Sequence, residues 1–204
     1  MEKLTAQSFS LTNGLGSPRL SLVDHALTFA AFAHRHQTRK GTEIPYIVHP
    51  YAVGLKLQRA GCTDEVVAAG ILHDVIEDTP VTIENLRMEF GARVAEIVAQ
   101  CSEPDRSLPW EKRKEHTITF LRTAPFEVKL VAAADKLDNL RGIMAEHDKI
   151  GEQVWARFKR GREQQAWYYH SVAESLLQNL TAGSDRTIFL ELQTEAIIFF
   201  AEAF

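Results

Sequence analysis

Cysteine is scarce: the 204 residues hold only Cys62 and Cys101, too few for a disulfide framework and without the spacing of a thiolate metal site. No stretch approaches the roughly eighteen continuous apolar residues that a membrane span needs. Residues 1–20 lack the apolar core of a secretory leader and carry Asn13-Gly14 and Gly16-Ser17-Pro18 instead. Positive charge is not in excess either, since 23 Lys and Arg against 27 Asp and Glu leave a formal charge of −4. That balance excludes a global basic field for nucleic acid, so any anionic ligand must be gathered by local clusters. Strand-type alternation and repeats of 20 to 50 residues are missing too. These absences point to a cytoplasmic protein with free thiols and neither a membrane nor a nucleic-acid partner.

What remains is helical. Hydrophobic residues make up 45% and charged residues 25% of a chain long enough to bury a full core. Residues 1–20 read as a loosely ordered arm and 21–204 as a single all-α domain. Ser21 with Asp24 resembles a capping box for a helix over 22–34. A basic loop broken by Gly41 and Pro45 follows, and Pro50 opens a second helix running to about residue 60. The pattern then predicts a helix over 64–77, a segment over 83–90 capped by Thr82, and an end or joint at Gly91. Further helices are expected over 92–101, 110–122, 125–146, 152–179 and 186–204.

The chemistry concentrates in Ile71-Leu72-His73-Asp74-Val75-Ile76-Glu77-Asp78, which sets four ionisable side chains in an otherwise apolar helix. Burying such groups is costly unless they are paired or bind a cation. On one continuous helix His73 and Glu77 would share a stripe, as would Asp74 and Asp78. A second His-Asp dipeptide, His147-Asp148, lies among polar neighbours and reads as solvated surface. Asp135 ends the apolar run Val131-Ala132-Ala133-Ala134, which suggests a paired or metal-bound carboxylate, and Asn139 follows one turn later. His49, taken alone, reads as a helix-terminus histidine with a backbone partner.

The order His49, His73-Asp74, Asp135 resembles the H…HD…D signature of the HD-domain metal-dependent phosphohydrolases. Ala33-His34-Arg35-His36-Gln37-Thr38-Arg39-Lys40, Pro45-Tyr46-Ile47-Val48-His49-Pro50, the Glu77-Asp78 pair, Phe90-Gly91 and Ala134-Asp135-Lys136-Leu137-Asp138-Asn139-Leu140 narrow it further. They are similar to the (p)ppGpp hydrolase domain of RelA/SpoT homologues and to the stand-alone small alarmone hydrolases. The likeness covers about residues 22–143 and continues faintly through Trp167-Tyr168-Tyr169. It departs at His36, where the family usually has Gly.

The resemblance implies an HD-domain helical bundle holding one Mn2+, or another divalent transition metal, through His49, His73, Asp74 and Asp135. Glu77 and Asp78 would be catalytic, orienting or deprotonating water and handling the leaving group's proton. Arg39 and Lys40 would bind the substrate's phosphates, Asn139 its ribose or a phosphate, and Tyr46 with Trp167 or Tyr168 its base or ribose. The implied reaction releases pyrophosphate from the 3′ oxygen of ppGpp or pppGpp, leaving GDP or GTP. Longer relatives add a synthetase domain, so hydrolysis without synthesis is expected here. The competing readings are an HD phosphohydrolase for a deoxynucleoside monophosphate or a 2′-phosphorylated dinucleotide, and a non-catalytic alarmone-binding module. His34 reads as a packing or supporting residue. Lys112-Arg113-Lys114 and Lys159-Arg160 with Arg162 read as solvated faces. The run Ala196-Ile197-Ile198-Phe199-Phe200 either seals the core or forms a homodimer face.

Overall fold

In a computed structural model, which describes residues 20–103, 105 and 107–201, helices dominate. Among these residues the only strand-type pairing is one isolated bridge between Thr38 and Pro45, so the all-α expectation holds. The arm predicted over 1–20 lies, apart from Leu20, outside the described residues, as do positions 202–204 of the last predicted helix. The chain divides into two compact units, one ending at Ser102 and one beginning at Glu103.

The first unit is organised around a short apolar helix. It comprises α1 (Leu22–Ala33), α2 (Val48–Arg59), α3 (Asp64–Leu72), α4 (Val75–Asp78) and α5 (Ile83–Cys101). Ser21 starts α1, its side chain accepting from the Asp24 N–H at 3.1 Å while its hydroxyl donates to the Asp24 carboxylate at 2.8 Å. In α3 every residue from Val66 to Leu72 is buried, and α1, α2 and α5 all pack on it. The predicted helix over 64–77 is therefore corrected to two, α3 and α4, separated by His73 and Asp74. Thr82 caps α5 through a reciprocal box with Asn85. Gly91, at φ 83° and ψ 169°, is a joint inside that helix rather than its end, a conformation that a side chain would resist.

In the second unit α7 (Phe126–Ile150) packs against a short 3-10 helix (Gly151–Arg157), α8 (Arg162–Leu176) and α9 (Thr187–Phe200), while α6 (Trp110–Thr123) packs on α8. The helix predicted to end near 146 thus continues to Ile150, and the one predicted over 152–179 is a 3-10 turn plus α8. Gly151 at φ 58° makes that break. Lys129 is 1% exposed, and its ammonium donates to the carbonyls of Arg122, Leu176 and Gln178. It thereby satisfies oxygens at the ends of α6 and α8 that have no helical partner. Arg141 ties α7 to α9 through Glu191 and Glu195. The C-terminal apolar run is split: Ala196 and Phe200 are fully buried, whereas Ile197 and Ile198 are 53% and 66% exposed.

Glycine sets the approach of α2 to α3. A Cβ at Gly54 would lie 2.5 Å from Ile71 Cγ1 and 3.0 Å from Cδ1, and Ile71 is buried. Alanine would gain up to about 1 kcal/mol of helix propensity, but overpacking a closed core costs about 1–3 kcal/mol, so the clash wins. Gly54→Ala is expected to lower the melting temperature. Combined with Ile71→Ala it should cost less than the two single changes added. Additive losses in thermal denaturation would contradict this contact.

Candidate metal centre and acidic motif

In the first unit the motif sits on a helix break, and the break has a local cause. His73 Nδ1 bonds the Gly70 carbonyl at 2.7 Å, an oxygen that an uninterrupted helix would offer to the backbone of Asp74. Because a carbonyl only accepts, Nδ1 carries the proton, and in the neutral ring Nε2 presents a lone pair. That nitrogen lies 3.0 Å from Asp74 Oδ2. His49 Nε2, at the start of α2, is 3.7 Å from the same oxygen, and the two imidazole centroids are 5.1 Å apart. His49 and His73 are 2% and 4% exposed. Two buried imidazoles and a carboxylate aimed at one another need a positive charge among them. This donor set fits a divalent transition metal, with the His73 tautomer already fixed by its backbone acceptor.

The helical pattern resumes at once, since the Asp78 N–H bonds the Asp74 carbonyl at 3.0 Å. Glu77 and Asp78 therefore stand one turn beyond the histidine, with Glu77 half-buried and Asp78 exposed. Thr79 ends the turn, its hydroxyl donating to the Val75 carbonyl at 2.6 Å.

The loop ahead of α2 is pinned by the Thr38–Pro45 bridge and by the Arg39 N–H on the Ile44 carbonyl at 2.8 Å. Lys40 is exposed and Arg39 half-buried at its tip. Tyr46, expected to meet the substrate, donates its hydroxyl to Asp74 Oδ2, with its ring against those of His34 and His49. Gln37 is a residue that the pattern of the chain did not single out. Its carboxamide oxygen meets His34 Nδ1 at 2.8 Å and its amide donates to the Asp78 carbonyl at 2.6 Å. His36 is exposed, and among the described residues the only positive φ outside glycine is at Asn179. The position therefore makes no demand for the family's glycine.

In the second unit Asp135 is buried on α7. Its Oδ2 accepts from Lys136 Nζ at 2.6 Å and its Oδ1 from Asn139 Nδ2 at 2.5 Å. Burial alone would lower the Lys136 pKa, but Asp135 outweighs it, with smaller contributions from Tyr168 and Tyr169, and holds the ammonium well above its ordinary value. Asn139, expected at the substrate, donates to this carboxylate, and Lys136 went unrecognised although it adjoins Asp135. Tyr168 is buried while Trp167 is 41% exposed. Arg113 and Lys114 are not a solvated face: both pair with Glu103, because that carboxylate is itself largely buried. Arg160 pairs with Glu111 and Arg162 with Glu152. His147 likewise departs from the surface reading, lying against Phe199 at 5.4 Å with Glu152 3.2 Å from Nε2.

The chain matches the HD domain family over residues 26–165. It is 41% identical over 132 residues, 63% of this chain and 73% of the relative, to the mouse guanosine-3′,5′-bis(diphosphate) 3′-pyrophosphohydrolase MESH1. Among solved structures, a protein of Listeria monocytogenes superposes with a TM-score of 0.71 at 39% identity, covering 75% of this chain and 99% of that one. A metazoan orthologue of SpoT, described as hydrolysing ppGpp, superposes at 0.70 with 28% identity over 92% of this chain and 98% of its own.

Burial pushes the His34 imidazole below its ordinary value of 6.5, and the Gln37 hydrogen bond with the fields of Asp74 and Asp78 only partly offsets this, while His73 adds to the lowering. Below about pH 6.5 the unfolded chain therefore binds a proton that the folded ring resists, and stability falls as the pH drops through that window. In chelator-treated protein, the melting temperature is expected to fall between about pH 7.5 and 5.5, and His34→Phe should make that decline shallower. Equal slopes would remove His34 as a source.

Proposed function

The chain belongs to the HD domain family, and from that premise we infer that it is a metal-dependent 3′-pyrophosphohydrolase of ppGpp and pppGpp. The observation that carries this reading is His73 Nε2 held against Asp74 beside His49, one turn before a pair of carboxylates. The matched stretch, residues 26–165, runs through both compact units, which supports treating 21–204 as one functional domain.

We assign the cation, Mn2+ in the first instance, to His49, His73, Asp74 and Asp135. His49, His73 and Asp135 are buried groups of the kind that could hold a metal ion. The bound ion supplies a polarised water and a Lewis acid for a phosphoryl oxygen. Every other part belongs to side chains. Glu77 orients the water and takes its proton, and the more exposed Asp78 returns a proton to the leaving 3′ oxygen. Arg39 offers a two-pronged donor and Lys40 a mobile point charge to the pyrophosphate. Trp167 and Tyr168 are assigned to the nucleoside, Trp167 being the accessible ring. The small-molecule guanine nucleotide is the partner, and no described helix is long and apolar enough to cross a membrane.

Incubation with ppGpp and Mn2+ should release pyrophosphate and leave GDP, both resolved by chromatography. Asp74→Ala is expected to abolish turnover and weaken metal binding. Glu77→Gln should keep the metal and lose activity by roughly 10²–10⁴-fold. Turnover of a deoxynucleoside monophosphate with ppGpp untouched would move the protein to another HD phosphohydrolase class. Tight ppGpp binding without turnover would make it a sensor.

A further inference from the structure

The loop that carries Arg39 and Lys40 grips the acidic motif at two points, and both grips come from residues outside the assigned ligands. Tyr46 closes the loop, its N–H on the Gln37 carbonyl at 2.9 Å. Its hydroxyl can only donate to the Asp74 carboxylate, and it does so to Oδ2, the same oxygen that faces His73 and His49. Its ring lies against two others, 4.9 Å from His34 and 5.9 Å from His49. These contacts and the hydroxyl bond together hold the phenol at Asp74. Gln37 makes the second grip by spanning His34 Nδ1 and the Asp78 carbonyl.

We infer that Tyr46 is a positioning residue for Asp74, not a platform for the nucleotide base, and that with Gln37 it joins the phosphate-binding loop to the metal-binding motif. The inference rests on the metal assignment above. Its physical content is orientation. A carboxylate on a helix break can turn about its terminal bond, and one fixed donor decides which oxygen faces the imidazoles. Groups that orient a ligand in this way change metal affinity about 10–100-fold when removed. The Gln37 grip acts on a backbone carbonyl of the catalytic turn, so it bears on turnover and not on the ligands.

Calorimetric titration with Mn2+, followed by kinetics at saturating Mn2+, separates the possibilities. Tyr46→Phe keeps the ring and removes one oxygen; the Mn2+ Kd is expected to rise about 10-fold or more, with KM for ppGpp little changed. Gln37→Leu should lower kcat and leave the Mn2+ Kd within a factor of about two. An unchanged Kd in Tyr46→Phe, or a raised KM as its sole effect, overturns the inference while the metal assignment stands. Failure of the unaltered protein to bind Mn2+ overturns both. Should Tyr46→Phe not fold, the decision passes to Gln37→Leu, where an unchanged kcat overturns the coupling.

Discussion

A buried imidazole nitrogen held 3.0 Å from a carboxylate is the constraint to which the first unit is fitted. His73 cannot relieve it by changing tautomer, because Nδ1 is committed to Gly70. Withdrawing charge from water costs several kcal/mol per ion unless opposite charge and hydrogen bonds replace the solvent. The surrounding chain supplies part of that replacement, a phenol on Asp74 and a backbone acceptor on His73. It also pays in helix continuity, since α3 ends at Leu72 and the motif occupies the turn that follows. Gly70 serves twice in this, as the acceptor and as one of the points where α2 can approach α3.

Much of this was legible in the sequence, and the limits have physical causes. The caps at Ser21 and Thr82, the joint at Gly91 and the apolar setting of His73 are local, so composition and spacing carried them. The break at His73 left no such mark. Both His73 and Asp74 keep right-handed dihedrals, and no glycine or proline stands there to announce an interruption. A side chain competing for one carbonyl did what a breaker residue would have done.

Long-range partners were the larger blind spot. Tyr46 reaches Asp74 across 28 positions and Gln37 reaches Asp78 across 41, separations at which no periodicity links two residues. An aromatic beside a candidate site therefore suggested a stacking role, while the bond made by its polar end to Asp74 left no mark in the sequence. The same failing made Arg113 and Lys114 look solvated, because Glu103 lies on the far side of a loop. His147 shows the converse: polar sequence neighbours suggested open surface, while aromatic rings from later helices stand against its imidazole.

Charge explains why Lys136 belongs beside Asp135. With two neutral imidazoles and two carboxylates as the proposed ligands, a divalent ion would be neutralised outright. The Lys136 ammonium, held charged by Asp135, would return one positive charge to that proposed set. A centre with net charge near +1 would attract a polyanion more strongly than a neutral one. In a chain whose overall charge is −4, attraction has to be generated locally. On the proposed assignment Lys136 would leave the metal set short of negative charge, and Arg39 with Lys40 would meet the phosphates directly.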